Sequence, residues 1–326
     1  MKKFLILLLV VTLVFTYAAA SGGQESIVVC ATTEQYRVED LQEQLNEKFP
    51  QYNAIVMYMS TGKAAAKVYA EGQDTEVDIL LAMESGYLSK LKPHLADISG
   101  RSTIPYIDGF KPEDNDNLWV TWERFGGAII VNTDVLEKYG LEKPTGYEDL
   151  LKPEYQNLVA MPDPKSSGTG FFFFQNWVNI WGEEGALDYV DKLHGNIKQF
   201  TESGSGPIKL LKQGEIAIGL GMTYQAITEA NAGQPFEVIF PESGSPYSLT
   251  GTSIIDGHQD KKGVSEIYDY IIHEFMIYDK ENYSPEQVYE GQKNMVHNYP
   301  ENVPLADMTG IQDDQEKERL LALLKY

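Results

Sequence analysis

The sequence has one cysteine, few histidines and few basic residues for its length. Of 326 residues, one is Cys and five are His, and 26 Lys and Arg stand against 48 Asp and Glu, for a net charge of −22. A single cysteine excludes an internal disulfide framework and any zinc site built from cysteines. No nucleic-acid partner is expected, because polyanions select basic surfaces.

Long apolar runs are also absent after the first twenty residues. The N-terminus has Met1-Lys2-Lys3, an apolar run from Phe4 to Phe15, and the small residues Ala18-Ala19-Ala20. This order is typical of a secretory signal peptide, residues 1–20, cleaved near Ala20-Ser21, and the run is short for a membrane span. An uncleaved N-terminal anchor is the alternative. The chain is therefore expected to be exported to the periplasm or the cell exterior.

What the chain does contain is an alternation of short apolar strands and amphipathic helices. Hydrophobic residues make up 43% of it, which is enough for folded cores, and the length suggests about two domains. Strands are predicted at 27–31, 54–58, 77–82, 157–161 and 216–220, with helices between them. This order predicts an α/β fold with a parallel sheet and helices on both faces. Cys30, inside the first strand, is expected to be a buried thiol.

Two further stretches rich in strand formers, 119–132 and 236–256, separate the α/β segments. Two chain crossings between two α/β lobes are the layout of a hinged, two-lobed binding protein, which closes around its ligand. The predicted lobes are residues 21–123 with about 241–295, and residues 124–240 with about 296–326.

Three clusters of hydroxyl side chains and glycine stand directly before predicted helices. They are Ser60-Thr61-Gly62, Ser166-Ser167-Gly168-Thr169-Gly170 and Ser203-Gly204-Ser205-Gly206. A helix start presents unpaired N–H groups and the positive end of the helix dipole, and glycine lets a ligand approach the backbone. Because open α/β sheets bind ligands at the carboxyl ends of strands, the clusters predict a shared site for a small anion. Simple N-capping is the alternative for each cluster.

Other polar residues are expected at the same edge. Thr32, Thr33 and Glu34 follow the first strand, and Tyr224 follows the strand at 216–220. Arg124, in the first crossing, is expected to clamp a carboxylate or phosphate, with a surface ion pair as the alternative.

Motifs for catalysis are missing. His273-Glu274 has no second histidine four residues after the first, and neither a Gly-x-Ser-x-Gly elbow nor a phosphate-binding loop is present. Binding without turnover is therefore predicted, with no cofactor. A secreted hydrolase acting on an anionic substrate is the alternative of another class.

Four short segments carry a resemblance to a known family: 161–170 (MPDPKSSGTG), 214–219 (GEIAIG), 241–247 (PESGSPY) and 299–304 (YPENVP). In this order they resemble the extracellular solute-binding proteins of ABC importers, of the ferric-iron type. The resemblance implies the type II periplasmic-binding fold, with two lobes that are each a mixed sheet flanked by helices, and with two crossing segments as the hinge. It also implies a ligand in the cleft between the lobes, delivery to a membrane permease with its ATPase, and a monomer.

The resemblance leaves the ligand open between two chemistries. Iron-binding members carry two adjacent tyrosines where this chain has Tyr224 and Gln225, and many place a histidine where it has Thr32-Thr33-Glu34. Ferric iron favours several anionic oxygen ligands, and Tyr224 supplies only one phenolate. Other members bind organic anions such as phosphonates and sugar phosphates. The predicted ligand is therefore a small phosphorus-containing or carboxylate anion, with ferric iron held by Tyr224 as the alternative.

Overall fold

The computed structural model describes residues 26–300 and 303–325. The predicted signal peptide and its cleavage site lie outside the described residues. The strands are β1 Ser26–Ala31, β2 Asn53–Tyr58, β3 Ile79–Glu84, β4 Val120–Asn132, β5 Val159–Pro162, β6 Ile197–Thr201, β7 Ile218–Met222, β8 Phe236–Ile239 and β9 Tyr247–Ile254. The α-helices are α1 Gln35–Lys48, α2 Thr61–Glu71, α3 Ser85–Leu91, α4 Thr133–Tyr139, α5 Gly168–Leu193, α6 Gly206–Lys212, α7 Thr223–Asn231, α8 Val264–Tyr270, α9 Met276–Tyr283 and α10 Asp314–Leu323.

The strands pair continuously in the order β2-β1-β3-β9-β4-β7-β5-β6, and β8 pairs with β4. β1 runs parallel to β2 and β3, and β5 runs parallel to β6 and β7. The two crossing strands, β4 and β9, run antiparallel to each other and to their other neighbours. The predicted α/β fold is confirmed. The sheet is mixed rather than wholly parallel, because the crossing strands enter its middle.

Strand β4 joins the two halves of the sheet. It has 13 residues, and its first part, from Val120 to Gly126, pairs with β9. From Gly127 onward its partners are β7 and β8. A Cβ at Gly127 would overlap the rings of Phe172 and Phe173, so a glycine is required where β4 changes partners.

Separate hydrophobic cores lie on the two sides of this crossing. Buried apolar residues within 27–122 and 254–289 form two clusters, and those within 129–236 and 306–324 form two others. The four consecutive phenylalanines 171–174 are all fully buried. Cys30 is also buried, as predicted, and its burial raises the pKa of the thiol to about 12. The lobe boundaries given above stay a prediction.

Within residues 26–300 and 303–325, every helix is too short or too polar to cross a membrane.

Candidate functional site

A cavity of about 440 Å³ lies where strand ends and helix starts of both core regions meet. Five helices begin at its wall: α1, α2, α5, α6 and α7 each place their N-cap or first residue on it. Their free N–H groups and aligned dipoles make this wall attractive to negative charge. Twelve of the predicted site residues line the cavity: Thr32, Thr33, Glu34, Ser60, Thr61, Ser166, Ser167, Gly168, Thr169, Ser203, Gly204 and Ser205.

The three hydroxyl and glycine clusters form one continuous surface, which we call the hydroxyl wall (Ser60–Thr61, Ser166–Thr169 and Ser203–Ser205). The Ser166 hydroxyl donates to the carbonyl of Glu202 at 3.1 Å, which joins the second cluster to the third. Gly204 packs so closely on Thr169 that a Cβ would overlap the threonine side chain. The clusters are separated by up to about 140 residues in sequence, yet the fold brings them together. Each follows the carboxyl end of a strand, and these ends meet at the cavity although β2 runs opposite to β5 and β6.

Capping accounts for only one of these hydroxyls. Ser167, the N-cap of α5, accepts a hydrogen bond from the backbone N–H of Gly170 at 3.4 Å. Ser60 and Ser205 occupy the N-cap positions of α2 and α6, but neither side chain caps its helix. The Ser205 hydroxyl is instead 3.2 Å from that of Ser203. At the starts of α2 and α6, therefore, no serine side chain caps the backbone N–H groups beside the cavity.

Two of the predicted glycines pack against backbone instead of facing the cavity. Gly62 faces the carbonyl oxygen of Ser166, 3.6 Å from where a Cβ would stand. Gly170 lies on the end of β5, where a Cβ would come within 2.5 Å of the carbonyl oxygen of Pro162. Their small size serves the close packing of the hydroxyl wall.

Arg124 and Tyr224 also lie away from the cavity wall. The Arg124 guanidinium pairs with Glu286 at 2.8 Å, the ion-pair alternative for this residue. Tyr224 lines a separate pocket of about 30 Å³ behind the cavity, which it shares with Arg124 and Glu286. Burial raises the pKa of Tyr224, so its phenolate, the form that binds ferric iron, is disfavoured.

The described residues do not offer a ready metal site. Nowhere in 26–300 and 303–325 do three or more His, Cys, Asp or Glu side chains converge to hold a metal ion. Burial also raises the pKa of the neighbouring Tyr36 well above the usual range. The donor set around Tyr224 therefore fits ferric iron poorly.

The residues after β1 also line the cavity. The Thr32 hydroxyl donates to the carbonyl of Ala82 at 2.7 Å, and the Thr33 hydroxyl donates to the carboxylate of Glu34 at 2.8 Å. Ala82 has φ +58°, an unusual value for a residue with a Cβ, at a bulge in β3. Beyond this bulge β3 continues to Glu84, whose carboxylate reaches the cavity.

A buried charge cluster, separate from the hydroxyl wall, also opens onto the cavity. It consists of Glu34, Arg37, Glu123, Asp279 and Lys280. Arg37, 3% exposed, binds Glu34 at 3.0 Å, Glu123 at 2.8 Å and Asp279 at 2.5 Å, and Lys280 binds Glu123 at 3.1 Å. Burial alone would raise the pKa of Glu123, but the charges of Arg37 and Lys280 outweigh it and lower that pKa to about 2. Glu34 and Glu123 are the members that line the cavity.

A second buried pair lies at the base of the cavity. Glu84, 2% exposed, accepts hydrogen bonds from Lys317 at 2.9 Å, from the Ser248 hydroxyl at 2.9 Å and from the N–H of Gly86 at 3.1 Å. The Lys317 ammonium also lies over the ring of Phe171. Helix α10 is thereby connected to the end of β3, across 233 residues of sequence.

The sequence analysis missed several residues of the cavity. Glu84 follows a predicted strand, but the strand was expected to end at Ala82, before the bulge. Gln225 is next to Tyr224, and it donates from Nε2 to Glu34 at 3.0 Å. Other lining residues carried no signal of their own in the sequence: Tyr36, Tyr58, Phe125, Lys209, Lys212, Met222 and Thr250.

Chemically, the cavity has a donor side and an acceptor side. The donor side is the hydroxyl wall with its helix starts. Lys209 also lines the cavity, and it forms no ion pair with any described residue. The acceptor side is formed by Glu34, Glu123 and Gln225. None of the described residues that line the cavity is a histidine or a cysteine.

Comparison with known proteins agrees with this architecture. A protein of Haemophilus influenzae (strain ATCC 51907 / DSM 11121 / KW20 / Rd), uncharacterized in function, is 29% identical over 257 residues, which are 76% of this chain and 72% of that protein. The periplasmic binding protein P5PA superposes with a TM-score of 0.79 at 23% identity, covering 91% of this chain and 97% of that one. AfuA from Actinobacillus pleuropneumoniae, with fructose-6-phosphate bound, gives a TM-score of 0.78 at 23% identity, covering 91% and 96%.

These structures are two-lobed periplasmic binding proteins, so the predicted fold class is confirmed. The family model for bacterial extracellular solute-binding proteins matches residues 81–311, well over half of the chain. The resemblance drawn from the four sequence segments is thereby confirmed. The chain belongs to the bacterial extracellular solute-binding proteins, the substrate-binding components of ABC importers.

Proposed function

We propose that the solute is a small organic anion, a phosphate ester, phosphonate or carboxylate, that docks on the hydroxyl wall and is bound without chemical turnover. The observation that carries this proposal is the convergence of five helix starts on one cavity, two of them with N-cap serines that do not cap. Backbone N–H groups and serine hydroxyls bind an anion without net positive charge, which reconciles the site with a chain of charge −22.

The two most buried carboxylates that line the cavity, Glu84 and Glu123, do not oppose this proposal. Glu84 is neutralised by Lys317, and Glu123 by Arg37 and Lys280. Both carboxylates and their cations are buried. An anion at the hydroxyl wall therefore meets N–H and O–H donors first.

The roles of the predicted residues follow from their places. Ser60, Thr61 and residues 166–169 and 203–205 would donate to the anionic group. Thr32, Thr33 and Glu34 would contact the rest of the solute, and Arg124 would position the crossing through Glu286. The loaded protein would pass its solute to a permease and ATPase, and the mature chain, without residues 1–20, would work as a monomer outside the cytoplasm.

The test is a panel of inorganic phosphate, alkyl phosphates and short dicarboxylates, measured by thermal shift and titration calorimetry. At least one anion is expected to raise the melting temperature and to bind with saturable heat and no product. The paired change Ser167→Ala and Thr169→Ala is expected to weaken its binding by about 1–3 kcal/mol, because two donors are lost. The matched control is Ser99→Ala, an exposed turn serine, which should bind as the wild type does.

Ferric iron remains the alternative outcome. Iron held by a tyrosinate absorbs visible light, so a coloured complex that is lost in Tyr224→Phe would overturn the anion proposal. Unchanged anion affinity in the Ser167 and Thr169 variant would remove the hydroxyl wall from the site. Turnover of a phosphate ester by the pure protein would favour a hydrolase.

A further inference from the structure

The acceptor side of the cavity carries an unbalanced negative charge. The buried charge cluster contains three carboxylates and two cations, all 14% exposed or less. A surplus charge that is withdrawn from water is costly unless something nearby compensates it. Arg37 and Lys280 point into the cluster, whereas Glu34 and Glu123 form its face toward the cavity.

An unused acceptor lies next to this surplus charge. Gln225 is 8% exposed, and its Nε2 donates to Glu34 at 3.0 Å. Its Oε1 is buried and has no donor among the described residues, and the residue itself lines the cavity. The Nε2 bond to a carboxylate fixes the orientation of the amide, since the flipped amide would set two oxygens against each other. A buried acceptor without a donor costs about 1–3 kcal/mol, so a ligand that supplies a donor here is favoured.

Resting on the proposed function, we infer that the solute carries a protonated amine in addition to its anionic group. The anion lies on the hydroxyl wall, and the ammonium group lies against Glu34, beside Gln225. The acceptor side lacks N–H donors and one positive charge, and an ammonium group supplies both. A hydroxyl would supply a donor but no charge, and a second anionic group would be repelled by Glu34 and Glu123.

The charge of the whole chain favours the same class of solute. A protein of charge −22 repels anions at long range and slows their encounter with the cleft. An added ammonium group lowers the net negative charge of the solute and so weakens this repulsion, yet the solute still presents an anionic group to the helix starts.

The experiment uses three matched series of phosphate monoesters with two to four carbons: ω-aminoalkyl, ω-hydroxyalkyl and plain alkyl phosphates. Dissociation constants are measured by titration calorimetry at one pH and ionic strength. At the best chain length, the aminoalkyl ester is expected to bind about tenfold more tightly than the alkyl ester, or better. Glu34→Gln keeps the shape of the side chain and should abolish most of this preference, so that amino and plain esters of the same length bind the variant with affinities within about threefold of each other.

Two further variants make the result specific. Gln225→Met removes the amide and should reduce the same preference without touching the hydroxyl wall. Glu202 also lies on the cavity, but its side chain is 91% exposed, so Glu202→Gln should leave the preference unchanged. Melting temperatures of all variants check that they are folded.

The outcomes separate the two proposals. Equal affinity for amino and plain esters, or for amino and hydroxy esters, overturns the ammonium site while the anion site stands. A preference that persists in Glu34→Gln and Gln225→Met places the amine elsewhere and also overturns it. No binding by any ester of the three series overturns the phosphate-ester function and this inference with it.

Discussion

Glu123 is a carboxylate that two buried cations keep ionised inside the protein. Arg37 and Lys280 both contact it, and together they lower its pKa from the usual 4.5 to about 2, against the effect of burial. A group whose pKa is lower in the folded state adds stability at pH values above its unfolded pKa. That stability is lost as the pH falls through the range from about 4.5 to about 2.

Replacing this carboxylate with Glu123→Gln is expected to lower the free energy of unfolding by about 3–5 kcal/mol at neutral pH, because Arg37 and Lys280 lose a buried partner. The difference from the wild type should shrink as the pH falls below about 4.5, since the wild type then loses the same charge. Urea unfolding at a series of pH values measures both effects. The exposed control Glu202→Gln should follow the wild-type curve, and a Glu123→Gln curve parallel to the wild type would contradict the assignment.

At the scale of secondary-structure elements, the hydroxyl wall depends on a contact between the turn before α6 and the first turn of α5. Gly204, between β6 and α6, packs on Thr169 in the first turn of α5, and its missing Cβ leaves room for the threonine hydroxyl. The change Gly204→Ala is expected to cost about 1–3 kcal/mol of stability through overpacking, and to weaken anion binding because Thr169 is displaced. Chemical unfolding and calorimetry measure the two effects separately.

A second-site change distinguishes packing from binding at this contact. Adding Thr169→Ala to Gly204→Ala removes the overlapping hydroxyl, so stability should return while affinity stays low. Gly100→Ala is the matched control, because nothing lies within 4 Å of its added methyl group and its φ is not positive. Restored affinity in the double variant would show that Thr169 does not donate to the ligand.

The elements of the fold were predictable because their signals are local. Apolar runs and helical periodicity identified β1, β2, β3, β5 and β7, and strand-forming composition identified the crossing strand β4. The hydroxyl wall was predictable for a similar reason, since each cluster directly follows a strand. Glu84 was missed because β3 runs through a bulge at Ala82, a backbone irregularity that no periodicity reveals.

Side chains that act together across long sequence distances could not be predicted. Arg37 binds Glu123 and Asp279 at separations of 86 and 242 residues, and no local pattern pairs them in a chain with 48 acidic residues. Arg124 was expected to bind the ligand because of its residue type alone. No local pattern pointed to its partner Glu286, which is 162 residues away. Local patterns therefore identified the donor side of the cavity and Glu34, and tertiary structure was needed to connect Glu34 with Glu123 and Gln225 on the acceptor side.

At the scale of the whole molecule, the pair of Glu84 and Lys317 connects the C-terminal helix α10 to the strand that ends at the cavity. Both side chains are almost fully buried, and the Lys317 ammonium also lies over the rings of Tyr87 and Phe171. Lys317→Met retains most of the packing but leaves Glu84 buried without its cation. It is expected to lower the free energy of unfolding by about 3–5 kcal/mol.

A double-mutant cycle tests whether this pair, rather than the packing of α10 in general, provides that stability. Glu84→Gln combined with Lys317→Met should be less destabilised than the sum of the single changes, because the second change removes the charge that the first leaves unpaired. Arg319→Met, two residues along the same helix, breaks only half-exposed pairs with Glu183 and Glu316 and should cost no more than about 1 kcal/mol. Additive losses in the cycle would show that α10 is held by its apolar face alone, whereas strong coupling would show that the ion pair itself holds α10 against the base of the cavity.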